Sequence, residues 1–258
     1  MHLRIFSDRQ SLGIAAAEQG AVAIRQAIAV HGTARVVGAS AASQFEFLEA
    51  LTAAPDIDWS RVELFHLDEY IGIAPAHPAS FCRFLEQRLV AKTGIPVVHF
   101  LRGDEDPAEV IRLANTAIAA APIHIAFVGI GENGHLAFND PPADFATEEP
   151  FIVVELDEAC RRQQVGEGWF ASLDEVPKQA ISMSVKQVLK AEEILAIVPG
   201  PKKAGAIKLC MEGQISPTAP ASILRTHQNA AIYLDRDSAA LLKPDTLRAL
   251  VRDEPGEH

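Results

Sequence analysis

Apolar residues along this chain fall into two kinds of run, and the two alternate. Ala-rich stretches with few breakers predict helices over 12–29, 45–51, 109–120 and 204–211, the first with Ser11 as its cap. Between them, short β-branched and apolar runs predict strands over 35–38, 123–130, 193–198 and 232–235, with a further apolar strand ending at Leu67. The run 123–130 is apolar at nearly every position, as expected of a strand buried on both faces in a parallel sheet. Alternation of this kind implies an α/β fold with a mostly parallel sheet, in which chemistry sits just past the carboxyl ends of the strands.

Two strand ends carry the candidate chemistry. After 123–130 comes Gly129-Ile130-Gly131-Glu132-Asn133-Gly134-His135-Leu136-Ala137-Phe138-Asn139-Asp140, a glycine-punctuated turn that gathers Asn133, His135 and Asp140. After the strand ending at Leu67 come adjacent acids, Asp68 and Glu69, then Tyr70, with His77-Pro78-Ala79-Ser80-Phe81 at the start of the next helix. If both segments open onto one crevice, a carboxylate base faces an imidazole. A third strand end, Gly38-Ala39-Ser40-Ala41-Ala42-Ser43-Gln44, puts small residues before a helix N-terminus. That is an anion site in form, with Ser43 equally readable as a plain N-cap. A fourth leads from 193–198 directly to Lys202 and Lys203, which suit a phosphate or a solvated helix face.

Composition narrows the partners. With 258 residues, 48% of them hydrophobic, the chain can bury one sizeable core, so one domain over 1–258 is expected, with 252–258 a frayed tail. A formal net charge of −11 disfavours nucleic acid and anionic membrane, and makes a local positive site necessary for a phosphate ligand. No run is long and apolar enough to span a bilayer or serve as a signal peptide. Cys82, Cys160 and Cys210 are odd in number and widely spaced, as for reduced thiols in the cytoplasm. The nine histidines show no i, i+4 pair and no cysteine partner, and Gly129-Ile130-Gly131 lacks the remaining glycine of a dinucleotide fingerprint. Neither a metal nor a cofactor is therefore expected. Gly166 and Gly168 mark a loop that could act as a lid.

The runs Leu67-Asp68-Glu69-Tyr70, His77-Pro78-Ala79-Ser80-Phe81 and Gly129 to Asn139 resemble the glucosamine-6-phosphate deaminase (isomerase) family, which shares its fold with the 6-phosphogluconolactonases. Val176-Pro177-Lys178-Gln179-Ala180-Ile181-Ser182-Met183-Ser184, Val198-Pro199-Gly200-Pro201-Lys202-Lys203-Ala204 and Ala219-Pro220-Ala221-Ser222-Ile223-Leu224 extend the likeness from about residue 36 to about residue 235. The resemblance implies a three-layer Rossmann-like fold and cofactor-free conversion of an aminosugar phosphate to a ketose phosphate and ammonia. It implies His135 as the ring-opening group, oriented by Asn133 and Asp140, and Asp68 as the base moving a proton between C2 and C1. Ser40, Ala41, Ala42, Ser43, Gly134 and Lys203 fall at its substrate-binding positions. Glu69 is grouped with them, holding the loop or Tyr70.

The family often carries Asp where this chain has Asn133, and usually Glu where it has Asp140. The phosphate-binding arginine of its better-known members aligns near Gly168, with Arg161 or Arg162 as substitutes. A lactonase using His135 as base on water and a non-catalytic phosphosugar-binding module are the alternative readings, and homo-oligomerisation is left open.

Overall fold

The computed structural model describes residues 1–251; the tail expected to fray, 252–258, lies outside the described residues. Ten strands are present among them: β1 (His2–Phe6), β2 (Ala34–Gly38), β3 (Val62–His66), β4 (Asp68–Tyr70), β5 (Val97–His99), β6 (Ile125–Val128), β7 (Phe151–Glu155), β8 (Gln179–Met183), β9 (Glu193–Val198) and β10 (Ala230–Asp235). Seven form one sheet in the order β1-β10-β9-β6-β2-β3-β5, with every neighbouring pair parallel. The other three form a small antiparallel sheet, β4-β8-β7.

Successive strand residues point to opposite faces, and so build two separate cores. Val36, Leu64, Ile125, Phe127, Leu195 and Ile197 pack with Leu12, Ala16 and Ile24 of helix Arg9–His31 and with Phe47 and Leu51 of helix Phe45–Ala53. Their neighbours Val37, Phe65, Ala126, Val128, Ala196 and Val198 pack on the other side with Val110 and Ala114 of helix Pro107–Ile118 and Ile207 of helix Ala204–Glu212. Helices thus cover both faces of the mostly parallel sheet.

Helix ends differ from the predicted ones for local reasons. The first helix starts at Arg9 because Asp8, not Ser11, is its cap: Asp8 Oδ1 accepts Ser11 N–H at 2.8 Å, while Ser11 Oγ accepts the Asp8 N–H. It stops at Gly32, whose φ of +81° only glycine adopts cheaply. Asp106 and Pro107 likewise start the third predicted helix two residues early. Strand β6 is shorter than the apolar run because the chain leaves the sheet at Gly129.

The sheet changes direction between β6 and β2: the chain proceeds outward to β3 and β5 on one side and to β9 and β10 on the other. Crevices open at such a point. The four segments carrying candidate chemistry follow β2, β3, β6 and β9, which are adjacent strands in the sheet.

Candidate active site

A cleft above these four strand ends is lined by Ala39, Ser40, Ala41 and Ser43 after β2, Asp68 after β3, Gly129 to Gly131 and His135 after β6, and Lys203 after β9. Phe81, Phe138, Gln163 and Gln164 complete its wall. Asp68 is buried at its floor, and among the described residues no donor reaches its carboxylate. Burial, then the charge of adjacent Glu69, pushes the Asp68 carboxyl well above its ordinary range.

Strand β4 fixes Asp68 by pairing it with Ser182 of β8, and the hydroxyl of Ser182 accepts the Phe138 N–H at 3.1 Å. The small sheet therefore ties the Asp68 segment to the His135 turn. Glu69, the other acid, points away from the cleft. Its Oε1 accepts the N–H groups of Tyr70 (3.0 Å) and Phe81 (3.2 Å), and its Oε2 accepts the Ser80 Oγ–H (2.8 Å) and the Cys82 N–H (2.8 Å). Burial raises its pKa, and these bonds, Cys82 N–H foremost, oppose the rise. Grouped with the substrate contacts from sequence but expected to hold the loop or Tyr70, Glu69 does not line the cleft and holds the Tyr70 N–H together with the start of helix Phe81–Leu85, of which Ser80 is the cap.

The His135 turn is built for close approach. The imidazole lies directly over Gly131, where an added Cβ would collide with the ring, and Gly134 has φ +85°. Ala137 takes φ +52°, an uncommon conformation for a residue with a Cβ. His135 Nδ1 stands 3.0 Å from Asp140 Oδ1, with the N–H directed off the ideal hydrogen-bond line. The same oxygen accepts Asn133 Nδ2 at 2.9 Å, and Asp140 Oδ2 accepts the Asp157 N–H at 3.0 Å. Asn133 Nδ2 is also 3.2 Å from Asp157 Oδ2, and Asn133 Oδ1 accepts the His135 N–H at 3.0 Å. Burial alone would raise the Asp140 pKa; His135, then Asn133 and Asp157 N–H, outweigh it and hold it low.

Of the four residues expected to carry catalysis, Asp68 and His135 line the cleft, while Asn133 and Asp140 stand behind the imidazole and orient it. Gly134 also lies behind the wall, shaping the turn rather than facing substrate.

A second cavity of about 250 Å³ adjoins the cleft at Ala41, Ser43 and Lys203 and adds Ala42, Arg9, Lys202, Glu132 and Glu167. Ser43 is not the cap of the following helix: Ala41 precedes a 3₁₀ turn, Ala42–Gln44, and no side chain caps that turn or the helix after it. The turn's first N–H groups therefore remain available to an anion. Ser40 Oγ donates instead to Phe81 O at 3.3 Å. Arg9 braces the turn, donating to Ala42 O at 3.0 Å and gripping Glu46 through two nitrogens. Lys203 is half-buried, and desolvation lowers its pKa against the pull of Glu167 and Glu132. Lys202 Nζ lies 3.9 Å from Glu132.

Neither substitute arginine reaches this cavity. Arg161 donates to the carbonyls of Leu173 and Val176, and Arg162 pairs with Glu158 on the surface. The segment around Gly166 and Gly168 packs down through Phe170, which stacks edge-on to Tyr70 and face-on to His77.

Sequence spacing concealed two donor clusters that folding assembles. His135, Asp140 and Cys160 bring one donor atom each within 4.8 Å of the others, as do His31, His124 and Glu192 at the opposite end of the sheet. In the latter, His124 Nδ1 already accepts the Arg35 N–H at 2.8 Å. The place of Gln164 on the cleft wall also had no sequence signal, because a glutamine pair on a helix makes no motif.

The sequence profile described as glucosamine-6-phosphate isomerases/6-phosphogluconolactonase matches residues 7–233. A glucosamine-6-phosphate deaminase of Staphylococcus epidermidis is 34% identical over 219 residues, covering 81% of this chain and 85% of that protein. One from Oenococcus oeni is 33% identical over 231 residues, covering 89% and 95%. Among solved structures, a monomeric glucosamine-6-phosphate deaminase superposes with a TM-score of 0.86 at 26% identity, covering 94% of this chain and 100% of that one. A 6-phosphogluconolactonase from Shewanella baltica shares the fold, with a TM-score of 0.76 at 16% identity over 91% of this chain and 97% of that one. The chain belongs to the glucosamine-6-phosphate isomerase/6-phosphogluconolactonase family.

Proposed function

We propose that this protein converts glucosamine 6-phosphate and water to fructose 6-phosphate and ammonia. One observation carries the reading: Asp68, an unpaired carboxyl with a raised pKa, shares a cleft with His135, whose Nδ1 faces a buried carboxylate. With Nδ1 closed off beside Asp140, Nε2 is the nitrogen left for substrate.

His135 delivers a proton to the ring oxygen, the anomeric hydroxyl passes its proton to water, and the C1–O5 bond breaks to give the open-chain aldehyde. Asp68 then takes the proton from C2 while O1 takes one back from water, giving an enol with the amino group still on C2, and returns a proton to C1. The resulting C2 imine is hydrolysed by water to the ketone, releasing ammonia. A carboxyl whose pKa is raised by burial holds a proton more readily than an exposed one and so suits both halves of that transfer. No metal or cofactor enters the scheme.

The phosphate lies at the uncapped turn Ala41–Ser43, with Lys203 as its main cation and Lys202 at the rim. These lysines answer the need for a local positive site in a chain of net charge −11. The three cysteines are free and buried, which supports a cytoplasmic location. No helix among the described residues is long and apolar enough to cross a membrane.

Ammonia release from glucosamine 6-phosphate, assayed beside hydrolysis of 6-phosphogluconolactone, tests the proposal. Ammonia release with little lactone hydrolysis supports it. Lactone hydrolysis alone moves the chain to the hydrolase side of the family, and binding of phosphosugars with neither reaction makes it a binding module.

A further inference from the structure

Helix Glu158–Gly166 begins at the residues behind His135 and runs along the cleft, presenting two consecutive glutamines to it. Gln163 is fully engaged by the protein: its Oε1 accepts the Glu132 N–H at 3.0 Å and its Nε2 donates to Glu167 Oε1 at 2.7 Å. Gln164 differs. Only 5% of it is exposed, its Oε1 is closed off from solvent without a donor, and among the described residues its Nε2 meets no acceptor. Yet it forms part of the cleft wall, with Asp68, His135, Phe81 and Phe138.

Buried carboxamides almost always find partners, because leaving them unpaired costs folding free energy. Among the described residues neither the Asp68 carboxyl nor the His135 imidazole bonds it, and the nearby Phe81 and Phe138 rings cannot, so the missing partner is a ligand. It must accept a hydrogen bond, since the Nε2 donor is the end of the carboxamide not closed off. A sugar hydroxyl does so.

We propose that Gln164 is a substrate-contacting, specificity-determining residue whose carboxamide hydrogen-bonds a hydroxyl of the bound sugar; this rests on the phosphosugar reading of the cleft. Its role is recognition of the sugar, separate from the phosphate held at Ala41–Ser43 and from proton transfer at Asp68 and His135. Oε1 is covered by protein, so Nε2 is the end of the carboxamide that makes the contact.

The test is Gln164→Leu, which keeps approximate volume but removes both hydrogen-bonding functions. Steady-state kinetics with glucosamine 6-phosphate and thermal melting are measured on the variant and the wild type, together with calorimetric binding of fructose 6-phosphate. KM and the fructose 6-phosphate Kd should rise about tenfold, the loss expected for one hydrogen bond to a buried partner, with kcat changed less than about threefold. The melting temperature should stay the same or rise, because no protein contact is lost. Unchanged KM and Kd with an active wild type overturn the role of Gln164 and leave the deaminase reading standing, as does a fall in melting temperature with affinity intact, which marks a structural glutamine. A wild type that neither turns over glucosamine 6-phosphate nor binds fructose 6-phosphate overturns both.

Discussion

The Nδ1 of His135 stands 3.0 Å from Oδ1 of Asp140, and that oxygen also accepts the Asn133 amide at 2.9 Å. The neutral amide is what lets two acids, Asp140 and Asp157, lie side by side behind the imidazole, since Asn133 Nδ2 is shared between them. An aspartate at position 133 would add a third negative charge there.

Asp140→Asn should therefore damage the step that depends on the orientation of His135. Turnover of the closed-ring substrate should fall about a hundredfold, the usual scale for impaired general acid–base catalysis, while an open-chain analogue is spared. Parallel kinetics on both forms check this; equal losses would mean that Asp140 supports binding or structure in general.

Lys203→Ala should weaken binding of phosphosugars about ten- to a hundredfold, the range for a charged hydrogen bond, and leave unphosphorylated sugars unaffected. Calorimetry with fructose 6-phosphate and fructose provides the comparison. Unchanged phosphosugar affinity would remove Lys203 from the phosphate site.

Much of this was legible in the chain. The four strand ends carry their chemistry in short local motifs, and small residues around His135 announce a close approach. The Ala-rich, breaker-poor helices were also plain, with end errors where Asp8 and Asp106 supplied caps outside the apolar run. The small sheet was not legible: β4 is only three residues long, and it is a strand because Asp68, Glu69 and Tyr70 find partners in Ser182, Ile181 and Ala180, far away in sequence. The same long-range pairing explains Glu69. Nothing local to an Asp-Glu dipeptide says which carboxylate will face the cleft and which will turn inward to four donors.

Glu69→Gln should destabilise the fold. An amide nitrogen cannot accept, so one pair of donors, either Tyr70 and Phe81 N–H or Ser80 Oγ–H and Cys82 N–H, is left unmet. A cost of about 1–3 kcal/mol per buried unmet group lowers the melting temperature by about 5 °C or more in a chain of this size. An unchanged melting temperature would contradict the inward role of Glu69.

Asp68→Asn should do the opposite. The raised pKa of Asp68 means that the folded state binds its proton more tightly than the unfolded state. Its contribution to stability is thus fullest below the unfolded value, near 3.8, and is lost as pH rises through the folded value. Well above the unfolded value, folding must either protonate this carboxyl or bury its unpaired charge, a cost that the neutral amide avoids, so the variant should melt about 2 °C or more above the wild type at pH 8. The advantage should vanish at pH 3.5. A variant that melts lower at both pH values would contradict the buried, unpaired state of Asp68.

Ammonia release by that same Asp68→Asn variant, with phosphosugar binding measured on the same preparation, bears most directly on the proposed chemistry. Loss of the base should reduce kcat for glucosamine 6-phosphate at least about a hundredfold while the Kd for fructose 6-phosphate stays within about threefold. Full turnover by Asp68→Asn would contradict the assignment of Asp68 as the group that moves the proton.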